Sequence, residues 1–305
     1  MIPGAREAGV ATEKLAERDE VVLCYEEFGD RERETVVLVM GLGVQMLGWQ
    51  PAFCEGLAER GFHVVRFDNR DVGRSTKFSG RVNLTAGLVG LTGSAVYTLA
   101  EMAADTSGLI DHLGLDAAHL VGVSMGAMIG QTLAARHPGR VLSLCSIMSG
   151  TGHRSIRTTP HPKILRQLLR RPASTREEFV EGLIATFQVI GSPAYPPDPT
   201  RLRALVESSY ERGHCPAGFA RQMMAIMASG NRTKELRGIS APTVVIHGDS
   251  DRLVPIRAGR ETAAAIPGAG LEVFTGMGHD LPEALWPRFL DLIEANARSR
   301  QGAVL

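Results

Sequence analysis

The sequence has no excess of charge of either sign: Lys and Arg number 33, Asp and Glu 33, across 305 residues. That removes the basic footprint of a nucleic-acid binder and the polyacidic tail of a charged interaction segment. Neither nucleic acid nor a membrane is therefore an expected partner. Cysteine is scarce. Cys24, Cys54, Cys145 and Cys215 are scattered, with no Cys-x-x-Cys pair and no Cys/His cluster, so they read as reduced thiols of a cytoplasmic protein. Long apolar runs are also missing. The opening MIPGAREAGVATEKLAERDE lacks the apolar region of a secretory signal and reads as a loosely held lead-in. TVVLVM and PTVVIH are far too short to span a bilayer. There is no Gly-x-Gly-x-x-Gly and no Gly-Lys-Ser/Thr, so Gly41-Leu42-Gly43 is not read as a phosphate loop, and no cofactor is expected. Eight of the nine histidines (His63, His112, His119, His137, His153, His161, His214 and His247) lack partners at metal-ligand spacing. No metal is expected either.

What is present is an alternation. VVLCYEEFG (from Val21), TVVLVM (from Thr35), HVVRFD (from His63), HLVGV (from His119), LSLCSIM (from Leu142), PTVVIH (from Pro242) and LEVF (from Leu271) read as strands. Helical patterns separate them: Trp49 to Gly61, Leu99 to Leu113, Met125 to Arg136, Ile256 to Ala265, and a last helix from about Pro282. Strands alternating with helices imply βαβ units and a mostly parallel sheet. From 151 to 232 the strand signal stops and only helices are predicted. Ser174 with Glu177 forms a capping-box pattern, Asp198-Pro199 opens a helix that Gly213 stops, and a further helix runs from Pro216 to Ser229. The expected organisation is a core of residues 1–150 and 233–305 with a helical cap inserted at 151–232.

Ligands of open parallel sheets sit beyond the carboxyl ends of the strands. At those ends stand Gly41-Leu42-Gly43, Asp68, Asn69, Ser124, Asp249, Asp251 and His279. Ser124 lies in Gly122-Val123-Ser124-Met125-Gly126, a Gly-x-Ser-x-Gly match. With 34 glycines in the chain, such a match arises by chance with a probability on the order of one in five. It means little alone. An Asp and a His at two later strand ends give it weight, because a serine hydroxyl is a poor nucleophile until a base takes its proton. Glycines on either side let a strained turn lift the hydroxyl clear of the sheet. Either Asp249 or Asp251 can serve as the acid that orients His279.

Ser, then Asp, then His in chain order resembles the α/β-hydrolase superfamily. The patches MGLG, RFDNRDVGRST, AAHLVGVSMGAMIGQ, PTVVIHGDSDRLVP and GMGHDLP are similar to a bacterial subgroup of serine hydrolases that includes the aclacinomycin methylesterases. The resemblance implies an α/β-hydrolase fold with an eight-stranded-type, mostly parallel sheet. It implies Ser124 as nucleophile, His279 as base and Asp251, in Gly-x-x-Asp, as the acid. It further implies an oxyanion hole of the Leu42 and Met125 backbone N–H groups. Many relatives read His-Gly at the first of these loops where this chain has Met40-Gly41; the backbone donor survives the change. The loop is not of the Gly-Gly-Gly type, so esters of bulky tertiary alcohols are not expected substrates.

The implied activity is hydrolysis of small to medium hydrophobic carboxylic esters through an acyl-enzyme. Met40, Met46, Leu47 and Trp49 near the oxyanion loop are pocket candidates. Phe179, Leu183, Ile184, Phe187, Phe219, Met223, Met224 and Met227 sit at helical spacing and read first as core, with Met223 and Met227 kept as pocket candidates. Asp68, Arg70 and Arg74 are expected to tie a loop near the sheet edge. The same triad serves lactonases, polyketide methylesterases and C–C bond hydrolases, and hydrolase-fold small-molecule receptors keep it with little turnover. Turnover, not sequence, separates these. Monomer and homodimer both remain open.

Overall fold

The β-branched runs form the centre of one sheet. In the computed structural model, which describes residues 12–153, 164, 173 and 175–299, eight strands pair in the order β1-β2-β4-β3-β5-β6-β7-β8. They are β1 (Lys14–Arg18), β2 (Val21–Phe28), β3 (Thr35–Val39), β4 (His63–Phe67), β5 (Ala118–Val123), β6 (Val141–Ile147), β7 (Thr243–Gly248) and β8 (Gly270–Phe274). The pairs β1–β2 and β2–β4 are antiparallel and the remaining five are parallel. Every residue of β3, β4 and β5 is buried, as a central parallel strand covered on both faces requires. Successive side chains point to opposite faces, so Val37 and Val39 enter one hydrophobic core while Val36 and Leu38 enter the other.

The helices are α1 (Pro51–Ala58), α2 (Leu84–Leu88), α3 (Leu99–His112), α4 (Met125–Arg136), α5 (Arg176–Ile190), α6 (Pro199–Arg212), α7 (Pro216–Ser229), α8 (Thr233–Leu236), α9 (Ile256–Ala265) and α10 (Trp286–Arg298). Phe53 and Leu57 of α1 pack with Phe289 and Ile293 of α10 on one face. Leu109 of α3 and Ile129 of α4 pack on the other. Helices α5 to α8 all fall between β6 and β7.

Three expectations are corrected here. The stretch read as a loose lead-in contains β1, an edge strand whose only buried residue is Ala16; its charged neighbours face solvent, as suits an edge. The cap of α5 is Thr175, whose side chain accepts from the Glu178 N–H at 3.1 Å; Ser174 lies outside the described residues. The loop after β4 is not at the sheet edge, because β4 stands third in the strand order. From that position its aspartates face the inserted helices. Asp71 accepts from Nε and Nη2 of Arg221 on α7 at 2.8 and 2.7 Å and from the Tyr97 hydroxyl at 2.5 Å. Asp68 pairs with Arg212 at the end of α6 and accepts from Met46 N–H at 2.8 Å. Arg70 grips Asp105 of α3, and Arg74 pairs with Glu13.

Candidate active site

Ser124 follows β5 without a break and is the N-cap of α4, at φ 54° and ψ −116°. A non-glycine residue at such a φ is strained by roughly 1–3 kcal/mol. The surroundings hold it there. Its N–H donates to Ile147 O at 2.9 Å, and the Ser149 hydroxyl donates to Ser124 O at 2.8 Å. A Cβ on Gly122 would stand 2.5 Å from the Ala127 backbone, and one on Gly126 would stand 2.1 Å from Val39 O. The two glycines of the motif are thus required by the close approach of α4 to β5 and β3.

The loop after β8 carries His279 to this elbow. His279 Nε2 lies 3.0 Å from Ser124 Oγ, and its Nδ1 lies 2.7 Å from Asp251 Oδ2. With Nδ1–H donating to Asp251, the Nε2 lone pair faces the serine hydroxyl. The other Asp251 oxygen accepts from Leu253 N–H at 2.9 Å and Val254 N–H at 2.8 Å, which fixes the carboxylate. Asp249 points elsewhere and accepts from Gly276 N–H at 2.7 Å. His247 lies under Asp251, with Nε2 3.6 Å from Oδ2 and 2.8 Å from Val254 O. Burial lowers its pKa and favours the neutral ring. The His279 loop leans on the end of α5: His279 N–H donates to Ile190 O at 2.7 Å, and Gly278 N–H donates to Ser192 Oγ at 2.8 Å. Ser192 Oγ in turn donates to Asp280, whose carboxyl burial pushes above its ordinary value.

The Gly41–Val44 stretch is a turn closed by Val44 N–H to Gly41 O at 3.3 Å, with Gly43 at φ 69°. Gly41 sits against the elbow, since a Cβ there would lie 3.3 Å from Ser124 Cβ. Among the described residues, neither the Leu42 nor the Met125 N–H meets a protein acceptor. Both flank Ser124. Such a pair of free backbone donors suits an oxygen that gains negative charge.

Above these groups lies a cavity of about 620 Å³. Met40, Leu42, Val123, Met128 and Met148 line its floor, and Leu183, Phe187, Phe219, Met223 and Met227 come from the inserted helices. Of the pocket candidates, Met40, Met223 and Met227 line it. Met46, Leu47 and Trp49 do not. The backbone keeps skirting the cavity, but these side chains leave it: Met46 is buried and its N–H is tied to Asp68, Leu47 is half-buried off the cavity, and Trp49 packs on Phe53 in the core. Gly48 and Gln50 face the cavity instead. The core reading of Leu183, Phe187 and Phe219 is likewise corrected, whereas Met224 is fully buried.

Asn69, one of the polar residues at the strand ends, holds the loop before Gly41 through Met40 O, whereas sequence reasoning missed Ser149, Ser192 and Gln222, which hold the other loops around the serine. Only Gln222 left a signal. It stands three residues after Phe219 and four before Ile226, a polar residue between apolar positions at helical spacing.

Among the described residues no group of three or more His, Cys, Asp or Glu is arranged to hold a metal ion, and no helix is long and apolar enough to cross a membrane. Cys24 and Cys54 are buried, and burial pushes their thiols up to about 12, well away from a reactive thiolate.

The chain is 28% identical to rhodomycin D methylesterase DauP from Streptomyces sp. (strain C5), over 94% of this chain and 98% of that one. It is 29% identical to 2-hydroxy-6-oxononadienedioate/2-hydroxy-6-oxononatrienedioate hydrolase 2 of Pseudomonas putida, covering 84% and 85% of the two chains. Its fold matches that of the enol-lactonase from Burkholderia xenovorans LB400 with a TM-score of 0.72 at 22% identity, over 93% and 99% of the two chains. Residues 34–283 match the model of the family described as the alpha/beta hydrolase fold, and the chain belongs to that family of hydrolases.

Proposed function

We propose that the protein is a serine-dependent carboxylic ester hydrolase. The observation that carries this reading is the unbroken line Asp251–His279–Ser124 at the floor of an apolar cavity. In the first step Ser124 Oγ bonds to the ester carbonyl carbon while its proton passes to His279 Nε2. The carbonyl electron pair moves to oxygen, and that oxyanion accepts from the Leu42 and Met125 N–H groups. His279 then gives its proton to the departing alkoxide, leaving an acyl-serine and a neutral alcohol. Water repeats the sequence, with His279 as base, and the acid leaves. Asp251 keeps the imidazole in the needed tautomer and stabilises its cation.

Residues 151–232 act in this reading as the cap, and the lining favours hydrophobic groups of small to medium size. A methylesterase reading is the second. It draws on the full-length similarity to rhodomycin D methylesterase and on a cavity much larger than a butyryl chain. In that case the bulky part of the substrate is the acyl part.

The test is hydrolysis of p-nitrophenyl acetate and butyrate by wild type and Ser124→Ala side by side. Multiple turnovers by wild type with background rates for the variant are expected. Equal rates for the two proteins would remove the reading and favour a low-turnover receptor. A methyl ester of a bulky aromatic acid turned over faster than methyl butyrate would select the methylesterase form.

A further inference from the structure

We infer that Gln222, on inserted helix α7, is the positioning residue that aims the oxyanion loop. The inference rests on Ser124 as nucleophile and on Leu42 N–H as one of the two oxyanion donors. Met40 and Gly41 offer no side-chain hydrogen bond to hold this loop, so other groups must hold it. Gln222 is fully buried. Its Oε1 accepts from Gly43 N–H at 2.8 Å, and its Nε2 donates to Arg70 O at 2.7 Å. Both ends of the amide are therefore used, and the side chain bridges the loop after β3 to the loop after β4.

The turn explains why this matters. A turn closed from Val44 to Gly41 with a positive φ at Gly43 leaves the Leu42 and Gly43 N–H groups unbonded within itself. Gln222 captures the Gly43 N–H. Asn69 Nδ2 donates to Met40 O at 2.9 Å and holds the entry to the turn. At its exit Gln45 Nε2 donates to Ser209 O at 2.6 Å and Gly213 O at 2.8 Å. Leu42 N–H is left without a protein acceptor among the described residues. Were Gly43 N–H not captured, it would compete for the same oxygen or turn the peptide plane away. Phe219, one turn before Gln222, stops the loop from shifting toward α7, since a Cβ on Gly43 would meet its ring at 2.7 Å.

The consequence is that an inserted helix does more than cover the substrate. It completes the transition-state site. Gln222 touches no reacting atom, so its loss should spare substrate binding and weaken only what binds the oxyanion. A misplacement of a catalytic group by about 1 Å costs on the order of 100-fold, and losing one whole oxyanion donor about 100- to 1,000-fold.

The experiment compares wild type, Q222M, Q222E and Ser124→Ala on p-nitrophenyl butyrate. It adds inhibition by an alkyl trifluoromethyl ketone, which takes the serine oxygen into a tetrahedral oxyanion adduct. Q222M is expected to lower kcat by about 10- to 100-fold with KM within about twofold, and to weaken the ketone by the same factor as kcat. Q222E keeps an acceptor for Gly43 N–H and is expected to recover part of both. The proposal is overturned if folded Q222M keeps kcat and ketone affinity within about twofold of wild type. It is also overturned if the loss lies in KM alone. Should Q222M not fold, Q222N, polar but too short to span both partners, carries the same two outcomes. Equal activity of wild type and Ser124→Ala would instead remove the serine reading itself, and is told apart by that pair alone.

Discussion

Helix α7 and the pair α5–α6 belong to one inserted segment, yet the molecule holds them by different means. Helix α7 buries Gly218, Arg221, Gln222, Met224 and Ala225 and reaches the loops after β3 and β4 through bonded side chains. Helix α5 buries only Val180 and Ile190, and α6 only Val206. Those two helices meet through exposed pairs, Arg203 with Glu181 and Arg176 with Glu211, and through the rings of Phe179 and Tyr210. Exposed ion pairs contribute little, whereas breaking a buried one is costly. The comparison teaches that α7 is built into the loops that surround Ser124. Helices α5 and α6 are built as a roof, anchored where Ile190 and Ser192 meet the His279 loop and where Arg212 meets Asp68.

The sharpest break is at the floor itself. Ser124→Ala and His279→Ala should each lower kcat by roughly 10,000-fold or more, and the double variant should lose no more than the worse single. Progress curves for all three, with melting temperatures beside them, check this. A double variant much slower than either single would mean that the two residues do not act as one unit.

Stability should divide along the same line. Asp71→Asn leaves Arg221 buried without its counter-charge and should cost about 3 kcal/mol, since losing one partner of a buried pair costs roughly 3–5 kcal/mol. Arg203→Ala, on the roof, should leave the melting temperature unchanged. The pH dependence has a definite sign. Burial pushes the Asp71 carboxyl up, but the hydrogen bonds from Arg221, Tyr97 and Phe78 N–H outweigh it and hold the group below its ordinary value. A depressed carboxylate stabilises the fold above its unfolded pKa, and that contribution is lost as pH falls through the folded one. The gap between wild type and Asp71→Asn in denaturant midpoints should therefore be full at neutral pH and narrow below about pH 4. A gap that widens in acid would refute the clamp.

The fold was legible because its signals are local. TVVLV and HVVRF announce strands buried on both faces, and Gly122 and Gly126 announce the tight elbow. The chain order of Ser124, Asp251 and His279 at strand ends was legible for the same reason. Less legible was anything set by direction or by partners distant in the chain. Met46 and Trp49 are near Gly41–Val44 in sequence, yet both are fully buried in the core while Gly48 and Gln50 between and beyond them line the cavity. The charges of Lys14–Arg18 hid an edge strand with a single inward residue. Gln222 lies 179 residues from Gly43, so no spacing rule joins them. Asp68 reads as a loop tie and Asp71 was not singled out, because their partners Arg212 and Arg221 sit on helices whose placement only the fold reveals.

The smallest expected effect tests the roof. Phe187 of α5 lines the cavity on a helix with few buried residues, so its ring meets substrate more than it meets core. Phe187→Ala opens space without emptying a packed interior, and the melting temperature should move little. Added room favours longer acyl chains, and each methylene in an apolar pocket is worth at most about 1–3 kcal/mol. Along a p-nitrophenyl ester series from acetate to decanoate, the optimum should shift toward longer chains by several-fold in kcat/KM, mainly through KM. The acetate rate should hold within about twofold, because the floor is untouched. Should acetate turnover instead fall in step with the longer esters, Phe187 would be acting on the floor through Ile190 and the His279 loop, and the division between floor and roof would have to be redrawn.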